Sequence, residues 1–308
     1  MYISSDIAYS HNTPCVVALG CFDGVHLGHA SVIKAAKKEA ERLGLPCCIW
    51  SFSEPPKRYY APELVPILTP AEIKSELIEA LGVDIYVSVD FDEKVASISP
   101  KDFFNTILVK NLKAACIVCG FDFTFGKGGH GTSDTLHKMC EEKSIGFISV
   151  LPVHINNQAV SSSAIRALLS NGKTEEAAAL LGRPYFVKST VIEGKRLGRN
   201  LGFPTINQKI DKGICLPLNG VYLTKVNFAD KAYYAITNIG TQPTVDGKEI
   251  ICETNIFDFS GDLYGKEVSV EFLKFIRGVQ KFESIEKLKE QVHFDIEKAK
   301  DIIKTRSL

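Results

Sequence analysis

The sequence carries no excess of either charge: 36 lysines and arginines stand against 36 aspartates and glutamates. That balance argues against a broad electrostatic grip on nucleic acid or on an anionic membrane, and leaves room only for local basic pockets. No apolar run is long enough to cross a bilayer. The opening stretch, Met1 to Pro14, is polar and lacks the apolar region of a signal peptide; together with the cysteine usage, a cytoplasmic location is expected, and separately a monomer or weak oligomer. No internal repeat and no low-complexity linker appears. A disulfide framework is also missing: nine cysteines are scattered, odd in number and mostly set in apolar runs. Cys116-Ile117-Val118-Cys119 has CxxC spacing without a second pair, and reads as two core thiols rather than a zinc site.

What is present is an ordinary globular composition, 45% apolar over 308 residues, enough for two domains. Apolar runs at 15–19, 47–52, 85–89, 114–119 and 147–151 read as buried strands. Between them lie amphipathic stretches at 29–43, 70–81, 100–112 and 133–143. Thr69-Pro70-Ala71-Glu72 reads as a capping box and Ser99-Pro100 as a second helix start. The alternation predicts an α/β, doubly wound parallel sheet, with ligands beyond the carboxyl ends of its strands. After two short helices (161–170 and 174–181), Gly182-Arg183-Pro184 breaks the chain. Strands then follow without long helices at 185–192, 221–228, 231–237, 250–259 and 267–275, predicting a small antiparallel barrel or sandwich. Leu288, Val292, Ile296, Ala299 and Ile303 form the apolar stripe of a C-terminal helix. Domains of residues 1–182 and 183–308 follow.

Gly20-Cys21-Phe22-Asp23-Gly24-Val25-His26-Leu27-Gly28-His29 joins the first apolar run to the first helix. Two histidines among glycines at such a junction suit a phosphate grip: the backbone comes close, and free helix amides favour anions. His26 and His29 are the candidate catalytic residues. Gly20, Phe22, Asp23, Gly24 and Gly28 complete the loop. For adenylyl transfer, imidazole donors would neutralise charge at the α-phosphate as pyrophosphate leaves. Ser161, Ser162 and Arg166 place hydroxyls at a helix start and a guanidinium one turn on, as a triphosphate tail requires. The alternative is a serine cap with a surface arginine. Between Gly120 and Gly131, Asp122, Phe125 and Gly126 belong to a glycine-rich, aromatic segment read as a mobile flap for a flat ring. A plain surface loop with buried phenylalanines is its alternative.

A second cluster lies at Gly198-Arg199-Asn200-Leu201-Gly202-Phe203-Pro204-Thr205-Ile206-Asn207. Thr205 and Asn207 offer hard oxygens suited to Mg²⁺ beside phosphates; a β-turn with solvated lysine and arginine is the alternative, and the simpler reading of this segment taken alone. Glu253, inside the apolar run 250–257, should face a site or pair with a cation and, if aimed at a bound hydroxyl, could serve as a general base; a strand-edge acid facing water is the alternative.

Together these motifs resemble the bacterial bifunctional riboflavin kinase/FAD synthetase family. Gly220-Val221-Tyr222, the segment from Asn238 to Thr244 and the segment from Phe257 to Gly265 carry the resemblance further. It implies an N-terminal nucleotidyltransferase domain that makes FAD from FMN and ATP, and a C-terminal barrel kinase that makes FMN from riboflavin and ATP. Under it, Thr205 and Asn207 match the Mg-ATP residues, with Gly198, Arg199, Gly202 and Pro204 around them, and Glu253 matches the base. Arg277 matches a position near the flavin, and the segment from Gly120 to Gly131 matches the flavin-side loop of the first domain. The sequence departs from the family pattern at Pro55, where a histidine is usual, at Ser163 and Ala164 in the phosphate motif, and at Gly278-Val279. A kinase with a weakened adenylyltransferase domain, and a flavin- or nucleotide-binding regulator, are the alternative readings.

Overall fold

The computed structural model describes residues 1–194, 198, 202–229, 231–244 and 247–306. The chain divides into two compact units, Met1–Ser162 and Ser163–Leu308. No helix among the described residues is long and apolar enough to cross a membrane.

The first unit is built on a six-stranded sheet. Its strands are β1 (Tyr2–Ser4), β2 (Cys15–Leu19), β3 (Cys47–Phe52), β4 (Ile85–Val89), β5 (Ala114–Gly120) and, after the small hairpin β6 (Thr124–Phe125) and β7 (Gly131–Thr132), β8 (Gly146–Val150). They lie in the order β1-β4-β3-β2-β5-β8, and every neighbouring pair is parallel. Helices cover both faces, so successive residues of each central strand enter different cores. Val17, Leu19, Cys48 and Trp50 pack on one side; Val16, Ala18, Cys47 and Ile49 pack on the other. Cys116 and Cys119 fall in opposite cores. Burial pushes both thiols up to about 11, as expected of core cysteines rather than a chelating pair. All nine cysteines are free.

Several sequence expectations need correction. The strand β1 gave no apolar signal, because it is a three-residue edge strand with Tyr2 and Ile3 exposed. The capping box at residue 69 does not form. The helix spans Ala71–Glu79 with Pro70 at its cap position and no side-chain cap bond; the Thr69 hydroxyl is engaged elsewhere. The helix expected over 100–112 is a short α turn, Pro100–Asp102, capped by Ser99, running into a π-helix at Phe103–Asn111.

The hairpin β9 (His154–Ile155) and β10 (Gln158–Ala159) ends the first unit. The second unit begins with the helices Ser162–Ser170 and Thr174–Leu181. A closed antiparallel barrel follows, with strands β11 (Tyr185–Ile192), β12 (Ile206–Ile210), β13 (Gly220–Phe228), β14 (Lys231–Thr244), β15 (Gly247–Ile256) and β16 (Glu267–Gly278) in the order β11-β12-β15-β14-β13-β16. The strand β12 was not expected, because its alternation is masked by polar residues. One of them, Gln208, points into the barrel and donates to the Ser189 and Val268 carbonyls, each at 2.8 Å. The interior also holds Tyr222, Phe272, Cys252 and a hydroxyl chain, Thr224–Thr237 at 2.8 Å and Thr237–Thr254 at 2.9 Å. The helix Ile285–Arg306 lays Ile296 and Ala299 against Val221, Leu223, Ile236 and Ile276 on the outer face.

Candidate active sites

The first site forms where β2 turns into the helix Leu27–Leu43. The turn holds the non-glycine residues Phe22 (φ 54°) and Val25 (φ 39°) in the left-handed region, beside Gly24 at φ 92°. For a β-branched valine this conformation is costly and persists only because the surroundings fix it. The Phe22 ring is fully buried and folds over Gly20, where a Cβ would sit 2.8 Å from it. Phe22 is thus the loop's anchor. The Asp23 carboxylate accepts the backbone N–H of Leu68 at 2.9 Å and of Thr69 at 3.1 Å, while the Gly24 N–H donates to the Thr69 hydroxyl at 2.9 Å. A segment 45 residues away thereby clasps the loop from behind.

His26 caps the helix. Its Nδ1 accepts the His29 N–H at 3.1 Å, so its ring proton sits on Nε2 in the neutral form. The two imidazoles stack with centroids 3.5 Å apart. The His29 Nδ1 is buried without a hydrogen-bond partner among the described residues. Burial first, then His26, then Lys74 hold the His29 pKa well below the ordinary 6.5. Ser162 comes to this loop from 139 residues away, donating to the Asp23 carbonyl at 2.8 Å. Arg166 stands one turn further along the helix Ser162–Ser170, in the second unit.

On the segment from Gly120 to Gly131, Phe125 is buried against Phe103 and stacked on Phe123, and the aromatic left exposed is Phe121. Gly126 adopts φ 72° and lies so close to Pro100 that a Cβ would fall 2.6 Å from the proline nitrogen. Asp122 lies in the turn just after β5, with its Oδ1 3.2 Å from where a Gly120 Cβ would sit. Sequence reasoning passed over Lys74. It is 1% exposed, and its ammonium reaches the carbonyls of Phe52 at 2.5 Å, Ser53 at 2.8 Å and Cys21 at 3.5 Å. The signal was a cation one turn before Ile78 on the apolar side of its helix.

The second site is a row across the barrel's outer face. Asn207 on β12 is the direct partner of Glu253 on β15, which is the direct partner of Asn238 on β14. Asn238 pairs with Val221, and Val221 with Arg277. Residues directly opposed in antiparallel strands share a face, so this register sets Asn207, Glu253, Asn238 and Arg277 on one side. Their neighbours Gln208, Cys252, Thr254 and Thr237 point inward and are fully buried. Asn207 is 8% exposed and packs on Gly194, where a Cβ would meet its Nδ2 at 2.3 Å, so only glycine fits there. Asn255 donates to the Pro204 carbonyl at 2.8 Å and ties the turn bearing Thr205 to β15. Gly198 lies against Thr205, with its carbonyl accepting the Phe203 N–H at 2.8 Å. Gly202 takes φ 88°. Arg199 lies outside the described residues. The Arg277 guanidinium is bound to Asp295 of the C-terminal helix at 2.7 and 2.8 Å, with Phe282 beside it.

A histidine loop at the carboxyl ends of a parallel sheet and a Thr/Asn/Glu row on a closed barrel are the chain's two candidate sites. Residues 8–164 match the FAD synthetase family model, and residues 181–303 match the riboflavin kinase model. The bifunctional riboflavin kinase/FMN adenylyltransferase of Bacillus subtilis is 39% identical, over 92% of this chain and 91% of its own. Its Escherichia coli K12 counterpart is 33% identical over 91% and 90%. A crystal structure described as a macrolide-efflux protein from Streptococcus pneumoniae matches with a TM-score of 0.87 and 34% identity, covering 97% of this chain and 98% of that one. The chain belongs to the bifunctional riboflavin kinase/FMN adenylyltransferase family.

Proposed function

We propose that the chain converts riboflavin to FMN at the barrel and FMN to FAD at the sheet, using one ATP in each step. The observation that carries this reading is the coexistence of two separately built sites, the stacked His26/His29 loop and the Asn207–Glu253–Asn238 row. The adenylyltransferase domain takes residues 1–182 and the kinase domain 183–308.

At the barrel, Glu253 accepts the proton of the ribityl 5′-hydroxyl as that oxygen bonds to the γ-phosphorus of ATP and ADP leaves. Mg²⁺ fits beside it: Asn207 is nearly buried, makes no side-chain hydrogen bond among the described residues, and stands two residues from the Thr205 hydroxyl. Thr205 and Asn207 would hold it, and when bound it supplies charge neutralisation on the phosphates. Gly198, Arg199, Gly202 and Pro204 frame that turn, and Arg277 borders the flavin end of the row.

At the sheet, an FMN phosphate oxygen bonds to the α-phosphorus of ATP while the bond to pyrophosphate breaks. His26 donates from Nε2, and the positive end of the helix Leu27–Leu43 favours the same anion. Neutral His29 stands behind it. Ser161, Ser162 and Arg166 receive the triphosphate tail, and the loop bearing Asp122 and Gly126 faces the flavin. The substrates are small molecules, and neither nucleic acid nor membrane enters the reading. Nine free thiols support a cytoplasmic setting.

Incubation with riboflavin, ATP and Mg²⁺, followed by chromatography of the flavins, tests this. FMN appearing first and FAD after it is the expected result. FMN alone assigns a kinase with an inactive first domain, and no turnover refutes both activities.

A further inference from the structure

Lys74 has no part in the chemistry above, yet it is one of the most deeply buried charges in the first unit. No carboxylate stands within ion-pair distance of it among the described residues; Asp23 and Glu54 act on it only at longer range. The Asp23 carboxylate is itself taken by the Leu68 and Thr69 amides. An ammonium buried without a carboxylate is costly, and burial holds the Lys74 pKa below the usual lysine range.

The location of its acceptors gives the reason. Cys21 follows the end of β2, Phe52 ends β3 and Ser53 follows it. All three carbonyls lie at the carboxyl ends of the parallel strands, where a ligand binds in such a sheet. Carbonyl oxygens there present partial negative charge to an incoming polyphosphate. The Ser51 hydroxyl also donates to the Cys21 and Phe52 carbonyls, at 3.0 and 3.2 Å, but brings no net charge.

We infer that Lys74 is a positioning residue of the adenylyl-transfer site, whose ammonium cancels these strand-end carbonyls and leaves a net positive charge beneath the His26/His29 loop, on which the ATP triphosphate seats. The inference rests on the adenylyltransferase reading of the first unit. It also reaches His29, which faces the stacked His26 ring and the edge of Phe22 and feels the Lys74 charge. A positive neighbour favours the neutral imidazole.

The test uses the full chain carrying Lys74→Met, which keeps the length and removes the charge, and Lys74→Gln, which also keeps a donor for the carbonyls. FAD formation from supplied FMN is measured against ATP concentration and pH, alongside FMN formation from riboflavin and thermal unfolding. Expected in both variants are FMN formation within about twofold of the parent, a fall of at least about tenfold in kcat/KM for ATP in FAD formation carried mainly by KM, and an acid limb displaced to higher pH. Parent-like FAD formation overturns the inference. So does a lowered unfolding temperature with KM and acid limb unmoved, or failure of both variants to fold, since each assigns Lys74 to the fold alone. If the parent chain itself makes no FAD, the adenylyltransferase reading falls first and takes this inference with it.

Discussion

The His26 and His29 rings lie face to face, their centroids 3.5 Å apart and their planes 13° from parallel. Two imidazolium rings at that separation would repel strongly, so the pair works with at least one ring neutral. The His29→Ala variant is expected to lose FAD formation by roughly 10²-fold or more, because His26 loses the ring that fixes its own. FMN formation from riboflavin is expected to stay unchanged, because the barrel site lies in the other unit. Chromatography of both flavins from one reaction checks this, and loss of both products in a folded protein would refute separate sites.

The depressed pKa of His29 gives stability a sign with pH. Between its folded value and the ordinary 6.5, the unfolded chain binds more protons than the folded one. Stability therefore rises with pH across that window, is complete above it, and is lost as pH falls through it. The unfolding temperature of the first unit should drop as pH falls below 6.5, and His29→Phe should flatten that drop. A parent and variant with parallel profiles would remove His29 as the cause.

Glu253→Gln keeps the size of the side chain and removes the proton acceptor. FMN formation is expected to fall about 10²–10⁴-fold while FAD formation from supplied FMN persists. A steady-state assay with each flavin as the starting substrate separates the two outcomes.

Asp23→Ala should act as a lesion of the clasp. It deprives the buried amides of Leu68 and Thr69 of their acceptor, a loss of about 1–3 kcal/mol. Denaturant unfolding should show that cost, and FAD formation should fall with it.

The Arg277–Asp295 pair joins β16 to the C-terminal helix, with Gln291 donating to the other Asp295 oxygen at 2.9 Å. Asp295→Asn is expected to cost about 3 kcal/mol, the lower end for breaking a buried pair, because Arg277 retains some access to water. The double variant Arg277→Met/Asp295→Leu should recover part of that loss. Calorimetry on the three variants decides it.

Much of this was legible in the sequence where a local pattern sufficed. The four central parallel strands, β2 to β5, read as apolar runs because both faces of the sheet are covered there, and the histidine loop is one contiguous decapeptide. What escaped depends on distant partners. Thr69 reads as a helix cap from its own neighbours, yet its hydroxyl serves Gly24 and Asp23. Phe125 reads as a ring for a ligand, yet it packs on Phe103. Asn238 stood in a motif without a role until the register set it beside Glu253. The strand β12 was hidden because Gln208 is a polar residue pointing inward.

The barrel's hydroxyl chain and its buried Gln208 fill the interior with side chains that satisfy one another and the strand backbone. Glu253 is flanked on its strand by Cys252 and Thr254, both fully buried, so order inside the cylinder sets where that carboxylate stands on the outer wall. Thr237→Val would strip the buried Thr224 and Thr254 hydroxyls of their shared partner, and Cys252→Ala would open a void beside Glu253, so a change in the hidden interior would be felt at the wall.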